Sequence, residues 1–231
     1  MRLKYYKKYV SSGQKTKNVN YKVFLRFIIK KYFPKNKNTE ILELGSGCGE
    51  LLSEAKLLGY KKIKGVEISS EMLDQVPKNI KSFICRRDIR QIMRKEQSKK
   101  YDMIVAKDVL EHFSLKELGP LCKDIHRCLK NGGYFLAHVP NGFSIWGGSV
   151  FWSDITHKTN FTEKSINQLL KTEGFKNVEV FEDFPKDWSL KSFIRRLIWI
   201  VGSFPFRLLL AAETGSPKGK ITQNIFFKAY S

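Results

Sequence analysis

Short apolar runs alternate with stretches of helical periodicity between residues 40 and 139. The runs have the length of buried strands, and the stretches between them repeat apolar residues every three or four positions. A capping box at Ser114 and Glu117 opens the last of these helices. The predicted strands are residues 40–44, 62–67, 82–85, 101–106 and 134–139, and the predicted helices are residues 50–58, 70–76 and 115–129. This alternation favours an α/β fold, a mostly parallel sheet with helices on both faces.

The pattern differs on either side of this region. Residues 19–33 are a predicted helix that Pro34 ends, packed on the domain ahead of its first strand. After Pro140, residues 141–160 are rich in glycine and aromatic residues and predict an ordered loop over the sheet. The elements predicted after that loop are a helix at 162–172 and strands at 176–181 and 221–230.

The first predicted strand runs directly into a glycine-rich turn and then a helix, in the sequence ILELGSGCGELL of residues 41–52. Gly45, Gly47 and Gly49 can adopt backbone angles that other residues avoid, and they let a ligand approach the main chain closely. Ligands of doubly wound sheets bind at the carboxyl ends of the strands, where this turn must lie. The turn therefore predicts a binding site for a small molecule.

The spacing of these glycines argues against a nicotinamide dinucleotide. A dinucleotide fingerprint has the spacing GxGxxG, whereas this turn reads GxGxG and places Glu50 where the third glycine would be. A carboxylate at that position would repel a pyrophosphate. Glu43, at the end of the strand, also suits a neutral or cationic ligand better. We therefore exclude a dehydrogenase.

Acidic residues follow the next strands at regular intervals. Glu67 ends the second strand, where a carboxylate can accept hydrogen bonds from both hydroxyls of a ribose. Asp88 follows the third strand in CRRDI, in position to bind an adenine amino group. The fourth strand, in YDMIVAKDVLEHF, leads into Lys107 and Asp108.

Together these segments resemble the class I S-adenosylmethionine (SAM)-dependent methyltransferases, over about residues 39–139. In that family ELGSGCG is the motif I loop, VEIS carries the ribose ligand, RRDI the adenine contact and YDMIVAKDVLEH the motif IV strand. The resemblance implies a Rossmann-like sheet of seven strands in the order 3-2-1-4-5-7-6, with the seventh antiparallel, and SAM as cofactor. The cofactor-binding residues that it implies are Glu43, Gly45, Ser46, Gly47, Gly49, Glu67, Ile68, Asp88, Ile89, Lys107 and Asp108.

Methyl transfer to a hydroxyl needs the acceptor held in line with the methyl group and benefits from a base. His157 lies in DITHKTNFTEKSINQLLKTEGF, after HVPNGFSIWGGSVFW. This layout is similar to bacterial methyltransferases of O-antigen and polysaccharide assembly, which implies His157 as the base and Asp154 as the group that orients it. His112, in LEH, is a further catalytic candidate. The alternatives are that His157 only packs the loop and that His112 only shapes the pocket.

A second resemblance concerns Asp108, Glu111 and His112, which form D-x-x-E-H ahead of His157. It is similar to the E-x-x-E-H arrangement that holds Mg²⁺ in small-RNA 2′-O-methyltransferases and ubiquinone-pathway O-methyltransferases. Aspartate reaches less far than the glutamate of that pattern, which weakens the likeness. We therefore expect no bound metal, and leave a divalent ion that polarises the acceptor hydroxyl as the alternative.

The formal net charge is +20, with twelve Lys or Arg and no acidic residue in residues 1–38. Such a field favours phosphates of nucleic acid, membrane head groups or a pyrophosphate-bearing substrate, although a generally basic proteome would explain it too. The four cysteines have no metal-ligand spacing, which indicates a reducing compartment without disulfides. The basic start lacks an apolar core, so we expect no secretory signal there. We divide the chain into this basic tail with its helix, residues 1–38, and a methyltransferase domain, residues 39–231.

The domain carries an apolar and basic helical insertion at about residues 185–217. In its segment 192–212, ten mostly apolar residues separate Arg196 from Arg207. We interpret it as two short helices joined at residues 203–205, too short to span a bilayer, which needs about 20 apolar residues. An apolar face flanked by arginine and tryptophan is typical of a helix lying on an anionic membrane. A helical pair buried on the sheet, or a dimer interface, is the alternative.

These features favour an enzyme that methylates a sugar hydroxyl of a cell-surface glycan or of its lipid- or nucleotide-linked precursor, at the cytoplasmic face of the membrane. An RNA 2′-O-methyltransferase is the rival; no recognised RNA-binding motif supports it, so nucleic acid is the less favoured partner. A quinone or small-molecule O-methyltransferase and an inactive SAM-binding subunit are further alternatives. The sequence leaves the oligomeric state open.

Overall fold

The computed structural model describes residues 19–184 and 189–231. The basic tail expected before residue 19 and the tryptophan at position 188 lie outside the described residues. The predicted division into a tail with its helix and one domain stays a prediction.

Seven strands form one sheet in the order β3-β2-β1-β4-β5-β7-β6, as predicted. Their bounds are β1 Ile41–Leu44, β2 Ile63–Glu67, β3 Ile84–Arg86, β4 Tyr101–Lys107, β5 Leu129–Pro140, β6 Val178–Glu182 and β7 Asn224–Tyr230. The pairs among β1 to β5 are parallel, and β7 is antiparallel to both β5 and β6. The carboxyl ends of β1, β2, β4 and β5 therefore meet at one edge of the sheet.

The helices cover both faces of this sheet. Their bounds are α1 Val19–Tyr32, α2 Glu50–Leu57, α3 Ser70–Asp74, α4 Lys78–Lys81, α5 Ile89–Lys95, α6 Leu115–Cys128, α7 Gly147–Phe151, α8 Glu163–Thr172 and α9 Leu190–Thr214, with a 3₁₀ turn at Leu110–His112. Three of them, α4, α5 and α7, are additional to the predicted elements. The predicted capping box opens α6.

Alternate residues of the central strands enter two separate cores, because side chains along a strand point to opposite faces. Ile104 and Ala106 of β4 join the core under α6 and α8, whereas Met103 and Val105 join the core under α1 and α2. In α1, Leu25, Ile28 and Ile29 are fully buried, so this helix is part of the second core.

The insertion is one continuous helix, α9, and its interpretation as two short helices is wrong. Pro205 lies inside the helix, where it removes a single backbone hydrogen bond while the turns on both sides continue. Twenty-five residues extend over about 37 Å. By length and composition it is the one helix in the described part of the chain that could cross a membrane, with mean hydropathy 1.4 and 6% burial over its most apolar window. The segment is therefore not too short to span a bilayer.

A helical pair buried on the sheet is also wrong. The buried residues of α9 are Ser192 and Ser203, which lie on one narrow stripe of the helix. Its bulky apolar side chains are exposed, among them Ile198 at 66% and Val201 at 72%. The helix thus buries only two small residues against its own domain and presents most of its bulky apolar ones outward.

Candidate active site

The glycine turn between β1 and α2 has the geometry that its sequence predicts. Gly45, Gly47 and Gly49 have φ of 70°, 55° and 77°, in the left-handed region that favours glycine. The amides of Gly45 and Ser46 donate to the Val66 carbonyl, at 2.8 and 3.0 Å, which fixes the turn against β2. A Cβ on Gly45 would lie 2.5 Å from Cγ2 of Val109, so no larger residue fits there.

Glu67, at the end of β2, is bonded to the same turn. Its Oε2 accepts from the amide of Gly47 at 2.9 Å, and its Oε1 accepts from the amides of Ile68 and Ser69 at 2.8 and 2.7 Å. The side chain is buried. Three backbone donors therefore hold a carboxylate in one orientation beside the glycine turn.

Two polar side chains near this turn are buried and, within the described residues, have an atom without a hydrogen-bond partner: Oε2 of Glu43 and Oγ of Ser46. Burial raises the pKa of Glu43 well above its usual value, although Lys107 opposes the shift. Buried polar groups are normally bonded, so orphaned atoms at such a turn indicate a polar ligand. The turn, the fixed Glu67 and these atoms fit the aminoacyl and ribose groups of SAM.

Asp88 follows β3 and caps α5, where its carboxylate accepts from the amide of Arg90 at 2.8 Å. The guanidinium of Arg90 also binds Asp88 at 2.6 Å and Glu117 at 2.6 Å. Ile89 is the first residue of α5. Asp88 and Ile89 lie just after β3, where the sequence predicts the adenine contact. The carboxylate of Asp88 forms a salt bridge with Arg90 there.

Sequence reasoning missed His138, which lies beside Asp108 and Lys107 near the carboxyl ends of β4 and β5. In the register of β4 and β5, Lys107 pairs with His138. His138 Nδ1 lies 2.5 Å from Oδ1 of Asp108, and the ammonium of Lys107 binds the other oxygen of that carboxylate. Asp108 has φ of 55°. The signal available in the sequence was a histidine near the carboxyl end of β5, the strand that neighbours β4 and Asp108.

These charges stabilise one another. Burial opposes the charge on His138, but Asp108 and then Asp183, whose Oδ2 lies 3.4 Å from Nε2, raise the pKa of His138 to about 9. Burial likewise opposes ionisation of Asp108, yet Lys107 and His138 hold its pKa well below the usual range. At neutral pH His138 is therefore a cation that holds Asp108, which leaves it unsuited to accept a proton.

The predicted catalytic residues meet beside this cluster. Thr156 Oγ1 donates to Oδ1 of Asp154 at 2.6 Å and lies 2.8 Å from Nδ1 of His112. An ionised carboxylate only accepts hydrogen bonds, so the Thr156 hydroxyl donates its proton to Asp154. The same hydroxyl oxygen then accepts a hydrogen bond from Nδ1 of His112. His157 Nδ1 lies 2.7 Å from the Phe151 carbonyl and must donate to it. The rings of His112 and His157 are 4.9 Å apart between centroids, and Nε2 of His157 lies 4.0 Å from Oε1 of Glu111.

Glu111 lies behind the two histidines and is 1% exposed, and within the described residues its Oε2 has no partner. Burial and the nearby Asp108 raise the pKa of Glu111 to about 8. Ligand atoms of Glu111, His112 and His157 all lie within 4.8 Å of one another, close enough to hold a metal ion. Asp108, the first residue of the D-x-x-E-H pattern, is outside this group because it binds Lys107 and His138.

Comparisons with known proteins match the domain and its fold. Residues 18–180 match the family described as "Methyltransferase domain". In solved structures, a SAM-dependent methyltransferase of Archaeoglobus fulgidus superposes with a TM-score of 0.69 at 20% identity, covering 91% of this chain and 94% of its own. A Haemonchus contortus phosphoethanolamine N-methyltransferase 2, in complex with SAM, superposes with a TM-score of 0.63 at 16% identity. The superposition covers 98% of this chain and 56% of that protein.

Curated relatives match over a shorter range. The ribosomal protein L11 methyltransferase of Staphylococcus aureus is 25% identical over 99 residues, which are 42% of this chain and 30% of that protein. The chain belongs to the methyltransferase-domain family.

Proposed function

We propose that the chain transfers the methyl group of SAM to a sugar hydroxyl of a cell-surface glycan or of its lipid- or nucleotide-linked precursor, at the cytoplasmic face of the membrane. The observation that carries this proposal is the pair His112 and His157, whose rings are 4.9 Å apart between centroids and whose Nδ1 atoms are bonded to Thr156 and to the Phe151 carbonyl. The layout of residues 138–175, which resembles polysaccharide-assembly methyltransferases, supports the sugar as acceptor.

The cofactor side has a separate set of residues in this proposal. Gly45, Ser46, Gly47 and Gly49 hold the aminoacyl part of SAM, with Glu43 beneath it. Glu67 with Ile68 binds the ribose, and Asp88 with Ile89 borders the adenine. Lys107 and Asp108 lie between cofactor and acceptor. Bound there, SAM supplies an electrophilic methyl group.

His157 is the proposed base. Its Nδ1 donates to the Phe151 carbonyl, so Nε2, which lies 4.0 Å from Oε1 of Glu111, is the atom that would take a proton from the acceptor. His112, Asp154 and Thr156 form a hydrogen-bonded chain next to it and position the acceptor. A base of this kind accelerates methyl transfer to a hydroxyl by about 10²–10⁴-fold.

The test is a tritiated-SAM assay that compares a glycolipid extract with total RNA. We expect label in the glycolipid. His157→Asn should lose about 100-fold or more in rate and keep its affinity for SAM, because asparagine can still donate to the Phe151 carbonyl but has no base. The matched control is His126→Asn, in α6, which should retain the rate. Label in RNA alone would contradict the proposal.

The membrane part of the proposal rests on α9. Arg207, inside the helix, binds both carboxylate oxygens of Glu182 at 3.1 and 3.0 Å and the Gly219 carbonyl at 2.9 Å. These bonds hold α9 alongside the domain, so we propose that it lies in the membrane interface and does not cross it. Lys191, Arg195 and Arg196 are exposed near its start, and each adds about 1 kcal/mol on anionic lipid.

Co-sedimentation with vesicles tests this docking. The protein should pellet with phosphatidylglycerol-containing vesicles and remain in the supernatant with phosphatidylcholine alone. Ile198→Glu with Val201→Glu should abolish pelleting, whereas Leu57→Glu, an equally exposed apolar position on α2, should not. Equal recovery in the supernatant with and without anionic lipid would end the membrane proposal.

A second candidate function is metal-assisted RNA 2′-O-methylation. The cluster of Glu111, His112 and His157 favours it, since carboxylate and imidazole ligands suit a divalent ion that polarises a hydroxyl. The net charge of +20 adds attraction for phosphates. EDTA would then abolish the activity, Mg²⁺ or Mn²⁺ would restore it, and label would enter RNA. Activity on glycolipid that survives EDTA would exclude this candidate.

A further inference from the structure

We propose that the loop over the site, residues 142–155, and α9 form one continuous membrane-facing surface, so that the methyl acceptor is an amphiphile held in the bilayer. This inference rests on the proposed function, and it decides between the two forms of precursor, lipid-linked and nucleotide-linked, that the proposed function allows.

Exposed bulky apolar residues concentrate in these two segments. The loop contributes Trp152 at 75% exposure and Ile155 at 80%, and α9 contributes Phe204 at 65%. The apolar surface consists of Phe143, Ile145, Trp146, Trp152, Ile155, Phe193, Ile194, Leu197, Ile198, Ile200, Val201, Phe204, Phe206, Leu208 and Leu209. The largest apolar patch on a typical soluble monomer is about 300–600 Å², and a single aromatic side chain carries about 150–250 Å². Fifteen bulky residues exceed that patch, which marks an interaction surface.

Two contacts make the surface continuous from loop to helix. The rings of Trp146 and Trp199 are 5.4 Å apart between centroids. At the other end, a Cβ built on Gly219 would lie 2.6 Å from Leu210 of the helix and 2.7 Å from the ring of Phe143 in the loop. The loop and α9 therefore contact each other directly at one end and both flank Gly219 at the other, and a bilayer that covers one reaches the other.

The same loop carries the site on its other side. Phe151 is buried, its ring centroid lies 5.5 Å from that of His157, and its carbonyl accepts from Nδ1 of His157. Trp152 follows directly, and its ring contacts Phe151 edge-on at 5.1 Å. Two successive ring contacts thus connect the proposed base to the most exposed tryptophan of the apolar surface. A lipid surface at Trp152 brings the mouth of the site to the level of the head groups.

Charge complementarity selects an anionic bilayer over a protein partner. Lys191, Arg195 and Arg196 are exposed on the first turns of α9, and the chain carries a net charge of +20. Basic residues beside an apolar face match anionic head groups above an acyl layer. A sugar attached to a lipid is presented at that height. A nucleotide-linked sugar is a polyanion in water and gains nothing from an apolar rim.

The direct test is the depth of Trp152 in the membrane. In a variant with Trp146, Trp188 and Trp199 replaced by phenylalanine, Trp152 is the remaining tryptophan, and its fluorescence is measured on vesicles of phosphatidylcholine and phosphatidylglycerol in equal parts that contain brominated lipid. We expect strong quenching by lipid brominated near the head group. A protein that pellets with these vesicles and shows no quenching of Trp152 docks through α9 alone, which would overturn the inference and leave the proposed function standing. A dimer that shields Trp152 without lipid would overturn it as well.

The acceptor class is tested with tritiated SAM on two cell fractions, glycolipid extract reconstituted in those vesicles and the water-soluble nucleotide-sugar fraction. Label should enter the glycolipid, and Trp152→Ser with Ile155→Ser should lower the rate about tenfold without changing affinity for SAM. Leu57→Ser, exposed on α2 away from the loop, is the matched control and should retain the rate. Label in the nucleotide sugar alone would overturn the lipid acceptor while the sugar methyltransferase stands. Label in neither fraction would overturn the proposed function itself.

Discussion

The two halves of the sheet's carboxyl edge are built in different ways. On the β1–β2 side, the site is held by backbone amides: those of Gly45, Ser46 and Gly47 donate hydrogen bonds to Val66 and Glu67. The glycines there have positive φ angles that few other residues adopt. On the β4–β5 side, the site is built from titratable side chains, and Asp108 contacts both Lys107 and His138. A binding site made by the main chain is fixed by a short stretch of sequence. A site made by side chains is assembled from distant segments and can change with the acceptor.

On the β4–β5 side, where we propose that the acceptor binds, side chains that contact each other are far apart in the sequence. His138 is 30 residues from Asp108, and Thr156 is 44 residues from His112. Glu67, in contrast, binds the amides of the next two residues in addition to that of Gly47. Substitutions on the cofactor side should therefore act on SAM binding, and those on the acceptor side should act on rate, membrane binding or pH response.

The largest effect should come from Gly45→Ala. The new Cβ would meet Val109 at 2.5 Å in a left-handed backbone conformation, so the turn must shift and SAM binding should fall by about 100-fold or more, as measured by calorimetric titration. Gly59→Ala is the matched control: Gly59 has φ of 92° and open space around its Cα, so it shares the backbone cost of about 1–2 kcal/mol and should leave SAM affinity intact. Equal losses in both variants would show a general folding defect.

The next effect should be that of Glu67→Gln. The amide group would oppose a backbone N–H with its own donor and would lose the charge that we propose binds the ribose. A hydrogen bond to a charged group contributes about 1.5–3 kcal/mol. We expect a loss of roughly 10- to 100-fold in SAM affinity. Glu71→Gln, on α3, serves as the control for charge. Unchanged affinity in the Glu67 variant would remove the ribose role from this residue.

On the acceptor side, Arg207→Met should release α9 from the domain. Glu182 has 9% exposure and would lose its cation, and breaking such a pair costs about 2–4 kcal/mol when one partner keeps some contact with water. Denaturant unfolding should show this loss, while SAM affinity is retained. Arg195→Met, exposed on the same helix, should leave stability unchanged. A stable Arg207 variant would contradict the anchoring of α9.

The smallest effect should be a pH dependence of stability set by His138. The pKa of His138 is raised above its unfolded value of about 6.5 to about 9, so its stabilising charge is fully present below pH 6.5 and is lost as the pH rises through 9. The groups that face it are Asp108, Asp183 and, beside Asp108, Lys107. The melting temperature should fall by a few degrees over this window. His138→Asn keeps a donor for Asp108 and should flatten the profile; an unchanged profile would contradict the assignment.

The glycine turn and the sheet could be predicted from the sequence because local signals define them. Apolar runs located all seven strands to within a few residues, and the Ser114–Glu117 box located the start of α6. The family resemblance supplied the strand order, which the structure confirms. The turn at residues 45–49 adopts the positive φ angles that three glycines allow.

The remainder depended on tertiary contacts that periodicity does not contain. Pro205 predicted a break in the insertion, but Ser192, Ser203 and Arg207 contact the domain along a single stripe and the helix continues. His138 was missed because its partners, Asp108 and Asp183, directly follow other strands, β4 and β6, and are distant in sequence. The helix α5 was missed because Asp88, its N-cap, was interpreted only as a ligand contact.

The most direct test of the central claim is a calorimetric titration of the full chain with S-adenosylhomocysteine, beside Gly45→Ala and Gly59→Ala. The account predicts saturable binding at one site in the unaltered chain and in Gly59→Ala, and no measurable binding in Gly45→Ala. A folded, unaltered chain that takes up no ligand, or a Gly45→Ala variant that binds as tightly as the unaltered chain, would contradict it.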